Sequence, residues 1–263
     1  MAGESTRLRR MFRADGRAVV VAMDGARGGP APGLEHPREI VRSVVSGGAD
    51  AIMTTFGMAR DVSDVLGTCG LILALDSEGP VADYGVEAAF RLGADAVELK
   101  ARVEDVEGWR MADLRRLAAE CQAWGMPLLA EMLAASWEVA LDDAEDNVDL
   151  VARAARVGAE AGADFVKVHY VGPAVSYRRV VDQCYVPVLV MGGPRRDEPV
   201  EVLQMAHDAM EAGASGVVFG RNVVSHPHPG RMVAALARIV HEGVCVAEAA
   251  RELEQPHSLE ASP

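Results

Sequence analysis

The ten residues Ala161–Tyr170, AGADFVKVHY, place one lysine inside an apolar, strand-like run. Phe165, Val166 and Val168 suit a buried strand. Lys167 does not, because an unpaired ammonium ion withdrawn from water is costly. Three other stretches share the pattern: GGADAIMTT from Gly47, LGADAVELKA from Leu92 and AGASGVVFGR from Ala212. Each follows a helical-looking segment rich in Ala, Val and Arg. Each reads as a helix stopped at glycine with a strand starting just beyond.

Between these repeats lie four more apolar runs: AVVVAMD ending at Asp24, LILALD ending at Asp76, MPLLAEM ending at Met132 and VPVLVMGG ending at Gly193. Helical segments such as Asp113–Trp124, Asn147–Ala161 and Pro199–Ala212 separate the strands. Near-continuous apolar strands joined by helices indicate a parallel sheet covered on its outer face. An eightfold alternation in roughly 250 residues predicts an α/β fold, a single (β/α)8 TIM barrel. A doubly wound open sheet is the alternative, but no G-x-G-x-x-G follows the first strand to give it a dinucleotide site. The expected organisation is one domain over residues 1–253, with a short N-terminal helical extension and a flexible tail over residues 254–263.

Composition narrows the function. The chain has 263 residues, half of them hydrophobic, and a net charge of −13. That charge argues against nucleic acid and anionic membrane surfaces as partners, since both need clustered Lys and Arg. No apolar stretch approaches the roughly 20 residues of a spanning helix. The opening MAGESTRLRRMFRADGR has no apolar centre of the kind a secretory signal requires. Cys69, Cys121, Cys184 and Cys245 are scattered without C-x-x-C spacing, which fits reduced thiols in the cytoplasm and no metal cluster.

In such a barrel the chemistry stands where strands end. Strand one ends at Asp24 and a glycine-rich loop, strand three at Asp76, strand four at Glu98 and Lys100, and strand five at Glu131. Strand six ends at Lys167, His169 and Tyr170. The last two strands end in MGGPRR and FGRN, and there Gly192, Gly193 and Gly220 allow a ligand close to backbone N–H groups. Arg195 and Arg221 add charge-assisted hydrogen bonds to an anion. These loops are the expected phosphate site, against the alternative that their glycines serve only tight turns.

Counted from the repeat glycine, Lys167 occupies the offset of Glu98, and His169 that of Lys100. Repeats in register put Lys167 and Glu98 in one interior layer, with Lys100 and His169 in the layer nearer the mouth. Burial and a neighbouring Lys100 ammonium are expected to lower the pKa of Lys167, giving an amine able to form a Schiff base. A structural ion pair of Lys167 with Glu98 or Glu131 is the competing expectation, and it works in the opposite direction.

The stretches VVVAMDGARGGPAPGLEHP, GADFVKVHYVG, VPVLVMGGPR and DAMEAGASGVVFGRN resemble the archaeal-type class I aldolases. That group includes the DhnA-type fructose-bisphosphate aldolase and 2-amino-3,7-dideoxy-heptulosonate synthase, with the autoinducer-2 phosphate thiolase in the same superfamily. The resemblance runs from about Leu8 to Ala250. It implies a TIM barrel, Lys167 as Schiff-base lysine, Asp24 in proton transfer, and phosphate loops at Gly192–Arg195 and Gly220–Asn222. It also implies a homo-oligomer that uses no metal or organic cofactor and a small phosphorylated carbonyl substrate. Two positions depart from the family pattern: Gly25 stands where a histidine is usual, and Leu133 where a tyrosine moves protons. Glu131, Lys100, His169 and Tyr170 are the candidates to replace that tyrosine. The leading reading is a biosynthetic Schiff-base aldolase or transaldolase-type enzyme that makes or breaks a carbon–carbon bond in a small keto or sugar phosphate. The alternatives are a lysine-dependent acyl-transferring thiolase and a catalytically weakened phosphometabolite-binding barrel.

Overall fold

The computed structural model describes residues 2–75, 84–103, 109–134 and 144–254. Asp76 and the tail from residue 255 onward lie outside the described residues. Eight parallel strands close into a barrel in chain order. They are β1 (Ala18–Ala22), β2 (Ala51–Thr54), β3 (Gly70–Ala74), β4 (Ala96–Arg102), β5 (Leu128–Leu133), β6 (Phe165–His169), β7 (Val188–Met191) and β8 (Gly216–Phe219). The helices follow as α1 (Ala2–Met11), α2 (Pro37–Ser46), α3 (Phe56–Val62), α4 (Val86–Arg91), α5 (Trp109–Trp124) and α6 (Ala144–Glu160). After them come α7 (Ala174–Asp182), α8 (Pro199–Glu211), α9 (Arg221–Val224), α10 (Pro229–Ala237), α11 (Val246–Ala249) and α12 (Arg251–Glu254). The eightfold TIM barrel read from the sequence is the observed fold.

The repeated Gly-Ala-Asp explains how the even strands begin. Gly48, Gly93, Gly162 and Gly213 all adopt positive φ, between 81° and 104°, which a glycine reaches at little steric cost and which ends the preceding helix. Two residues later the aspartate turns back to the preceding strand. Asp50 accepts the Val19 N–H at 2.7 Å, Asp95 the Leu71 N–H at 3.1 Å and Asp164 the Leu128 N–H at 2.7 Å. Each carboxylate thus satisfies a backbone donor at the base of β1, β3 or β5. The fourth repeat has Ser215 in place of aspartate, and its carbonyl takes the Ala18 N–H instead.

Alternate residues of each strand face opposite ways. Val19, Val21, Ile52, Val97, Val166, Val168 and Val190 pack outward against the helices. Ala18, Val20, Met53, Ile72, Leu129, Phe165, Leu189 and Val218 fill the interior. Helix α1 lies across the base of the barrel. Its Met11 joins the interior cluster with Leu8 and Phe12 beside it, and the Phe12 ring meets Phe165 edge-on at 5.4 Å. Arg10 anchors the helix to Asp95 at 3.2 Å. The inward-facing polar side chains Glu98, Lys100, Glu131 and Lys167 stand toward the opposite end.

Candidate active site

Above the apolar filling, the inward positions turn polar. Glu98 and Lys100 on β4, Glu131 on β5 and Lys167 on β6 continue the inward faces of Ala96, Leu129 and Phe165. Glu131 is the register partner of Lys100 on one side and of Lys167 on the other. This row of three runs obliquely around a barrel of tilted strands. Lys100 stands nearer the mouth, its side chain 24% exposed against 8% for Lys167.

The Lys167 ammonium donates to Glu131 Oε2 at 2.6 Å, and Lys100 Nζ lies 3.2 Å from Glu131 Oε1. One buried carboxylate is thus shared by two lysines. Burial alone would favour the neutral amine at Lys167. The negative charges of Glu131, Asp24 and Glu98 outweigh it and raise the lysine's pKa. The expectation of a lowered pKa is therefore corrected: the resting lysine is an ammonium, because its nearest neighbour is a carboxylate and not Lys100. For Glu131 burial opposes ionisation, but Lys167 and Lys100 overcome it and hold the carboxyl well below its usual range. Lys100, Glu131 and Lys167 together carry one positive charge, which the negative charges of Asp24 and Glu98 offset.

A cavity of about 470 Å³ opens over these groups. Asp24, Lys100, Glu131 and Lys167 line one part of it, and Gly192, Gly193, Arg195, Gly220 and Arg221 another. Pro30, Pro32 and Leu34, from the loop after β1, supply an apolar wall. Its size is that of a small-metabolite site. A roomier groove of about 670 Å³ lies outside the barrel beside α3, α4 and α5. Its Glu87 and Arg91 pair at 2.6 Å, as do Asp113 and Arg116, so four of its six charged side chains are already paired. Among the described residues no three His, Cys, Asp or Glu side chains are grouped as a metal site.

The loops after β7 and β8 are tied together. Asn222 donates to the carbonyls of Gly192 at 2.9 Å and Pro194 at 3.1 Å, and accepts the Arg196 N–H at 2.8 Å. Its polar atoms are thus spent on the loops, and its place is behind the cavity wall. Arg221 donates to the Gly193 carbonyl at 2.9 Å. Gly193 has φ 64° with open space where a Cβ would stand, whereas a Cβ on Gly220 would meet the Ala22 carbonyl oxygen at 2.8 Å. The loop after β1 joins this assembly through Ser225, whose hydroxyl donates to the Pro32 carbonyl at 3.0 Å.

His169 ends β6 on the inward face. Burial and the Lys167 charge lower its pKa against the pull of Glu131, so the ring is neutral at pH 7. It does not line the cavity. Tyr170 has turned outward, its ring 4.8 Å from that of Tyr177 on α7, which removes it from the proton-transfer candidates. Leu133, buried at the end of β5, offers no proton. Asp24 is the remaining acid on the cavity wall besides Glu131. The sequence reading named both, but it lacked the register that makes Glu131 the direct partner of Lys167.

A model of the DeoC/LacD family aldolases matches residues 10–226. The chain belongs to this family. Its kinship with the archaeal-type class I aldolases, expected from the strand motifs, holds across nearly all of its length. The DeoC/LacD chain is 38% identical to a 2-amino-3,7-dideoxy-D-threo-hept-6-ulosonate synthase of Halobacterium salinarum, covering 92% of each. It is 34% identical to a 2-amino-4,5-dihydroxy-6-oxo-7-(phosphonooxy)heptanoate synthase of Streptomyces griseus, over 90% of each. Among solved structures it matches an archaeal fructose 1,6-bisphosphate aldolase whose catalytic lysine carries the carbinolamine intermediate of its substrate. That match has a TM-score of 0.77 and 27% identity, over 90% of this chain and 99% of the other.

Proposed function

We propose that this family member uses Lys167 to form a Schiff base with a small phosphorylated ketone and makes or breaks a carbon–carbon bond next to the resulting iminium. The observation that carries this is the placement of Lys167 Nζ, buried at one part of the cavity, with the Gly192–Arg195 and Gly220–Arg221 loops at another. An iminium draws electrons from the neighbouring carbon, so the lysine supplies the electron sink itself. The loops fit a phosphate through backbone N–H groups and two arginines. Asp24, which lines the same cavity just beyond β1, is the acid–base for the bond-making step. The relatives named as synthases of seven-carbon 2-amino keto acids support the synthetic direction, with an aldehyde as second substrate.

Borohydride reduction of the full chain with dihydroxyacetone phosphate, followed by mass mapping, tests this reading. A three-carbon phosphate adduct on Lys167, and a new carbon–carbon bond when an aldehyde is added, are expected. Acyl transfer to coenzyme A would move the chain to the thiolase branch. Absence of any Lys167 adduct would leave a binding protein.

A further inference from the structure

A protonated amine has no lone pair, so Lys167 must lose a proton before its nitrogen can attack a carbonyl carbon. The acceptor already in contact is Glu131, whose Oε2 receives the Lys167 hydrogen bond at 2.6 Å. Glu131 is 2% exposed, and its other oxygen faces Lys100 at 3.2 Å. The next inward residue on β5, Leu133, has nothing to donate. We propose that Glu131 is a catalytic proton carrier for imine formation at Lys167, and that Lys100 is the positioning residue that holds it there. This inference rests on the Schiff-base reading above and adds the group that makes the lysine reactive.

The steps balance around one carboxyl. Glu131 takes a proton from the Lys167 ammonium, and the freed lone pair forms the N–C bond while the carbonyl π pair moves to oxygen. Glu131 returns its proton to that oxygen and then removes one of the two remaining on nitrogen, leaving a neutral carbinolamine. It delivers this proton to the carbinolamine hydroxyl, which departs as water as the nitrogen lone pair closes the C=N bond. Ammonium plus ketone has become iminium plus water, and Glu131 ends as the carboxylate it began. The charge of the Lys100–Glu131–Lys167 row is the same before and after, so the Lys100 contact need not break. Asp24 remains available for the carbon–carbon step and has no part in these transfers.

The experiment is rapid-mixing borohydride capture with dihydroxyacetone phosphate, counting Lys167 adduct by mass. Glu131→Gln is expected to slow adduct formation by about 100-fold or more. Glu131→Asp keeps a carboxyl and should recover part of the loss. A structural role would not require an acid at this position. Capture by Glu131→Gln at the wild-type rate overturns the proposal. Equal loss in Glu131→Gln and Glu131→Asp, with inorganic phosphate no longer bound, also overturns it by pointing to a collapsed site. If Glu131→Gln does not fold, Glu131→Ala with added formate replaces it: rising capture with formate supports the carrier, and no rescue in a folded variant refutes it. A wild-type protein that forms no adduct removes the Schiff-base reading itself, an outcome distinct from all of these.

Discussion

The carboxylate of Glu131 and the ammonium of Lys167 lie 2.6 Å apart on residues paired directly across β5 and β6. With Lys100 on the far oxygen, the carboxylate keeps a partner even when Lys167 is lost. Removing one member of an isolated buried ion pair costs about 3–5 kcal/mol because a charge is stranded. Lys167→Met strands none, so its urea-unfolding stability should fall by less than about 3 kcal/mol. Turnover should fall by about four orders of magnitude or more, since no other amine supplies the covalent sink. Substantial residual activity would remove the lysine from the mechanism.

Lys100→Met should act on both neighbours. Glu131 loses one of the two cations that keep it ionised, so its pKa rises, and the carboxyl is freer to swing away from Lys167. The acidic limb of the rate of imine capture should move to higher pH, with little change in the unfolding midpoint. An unmoved pH profile would show that Lys100 does not hold the carboxyl.

Asn222 ties three backbone groups of the loop after β7. Asn222→Ala leaves them without this partner at the cavity edge. We expect about a tenfold rise in KM for the phosphorylated ketone, with saturating imine capture at Lys167 nearly unchanged. A fall in capture at saturation, with KM constant, would place Asn222 in the chemistry and not in loop construction.

The base of the barrel carries its own titration. His241 faces Asp15 at 2.7 Å through Nδ1 and Asp50 at 2.9 Å through Nε2, with Arg13 on the other oxygen of Asp50. Burial lowers the histidine pKa, but the two carboxylates prevail and raise it above its ordinary value of about 6.5. The stabilisation is therefore fully present below about pH 6.5 and is lost as pH rises through the raised value. Thermal unfolding between pH 6 and pH 9 should show this decline, and His241→Phe should flatten it. A wild-type curve that stays level would remove the charged histidine from the account.

Much of this was legible in the chain. Glycines that stop helices and apolar runs that start strands mark the barrel because both signals are local. Lys167, Asp24 and the two phosphate-type loops stand out for the same reason. Glu131 was harder to place. The Gly-Ala-Asp repeat calibrates the even strands, whereas MPLLAEM on β5 carries no such start, so its register had to come from the fold. The sign of the Lys167 shift followed from that gap, since a carboxylate at contact distance outweighs a lysine one neighbour further off. The outward turn of Tyr170 was available from alternation, which sets it opposite to Lys167 and His169. The aspartates of the repeat gave no hint that each caps the strand before its own.

Among the described residues, α1 closes the base of the barrel and the cavity over Lys167 opens at the other end. If the proposed imine forms, a ketone held at Lys167 lies at the back of a room that the aldehyde enters afterwards. Once the carbon–carbon bond has formed, the two reactants are one molecule, held to the lysine until the imine is hydrolysed. Traffic in this chamber is therefore ordered on the way in and joined on the way out: keto compound first, aldehyde second, one product leaving.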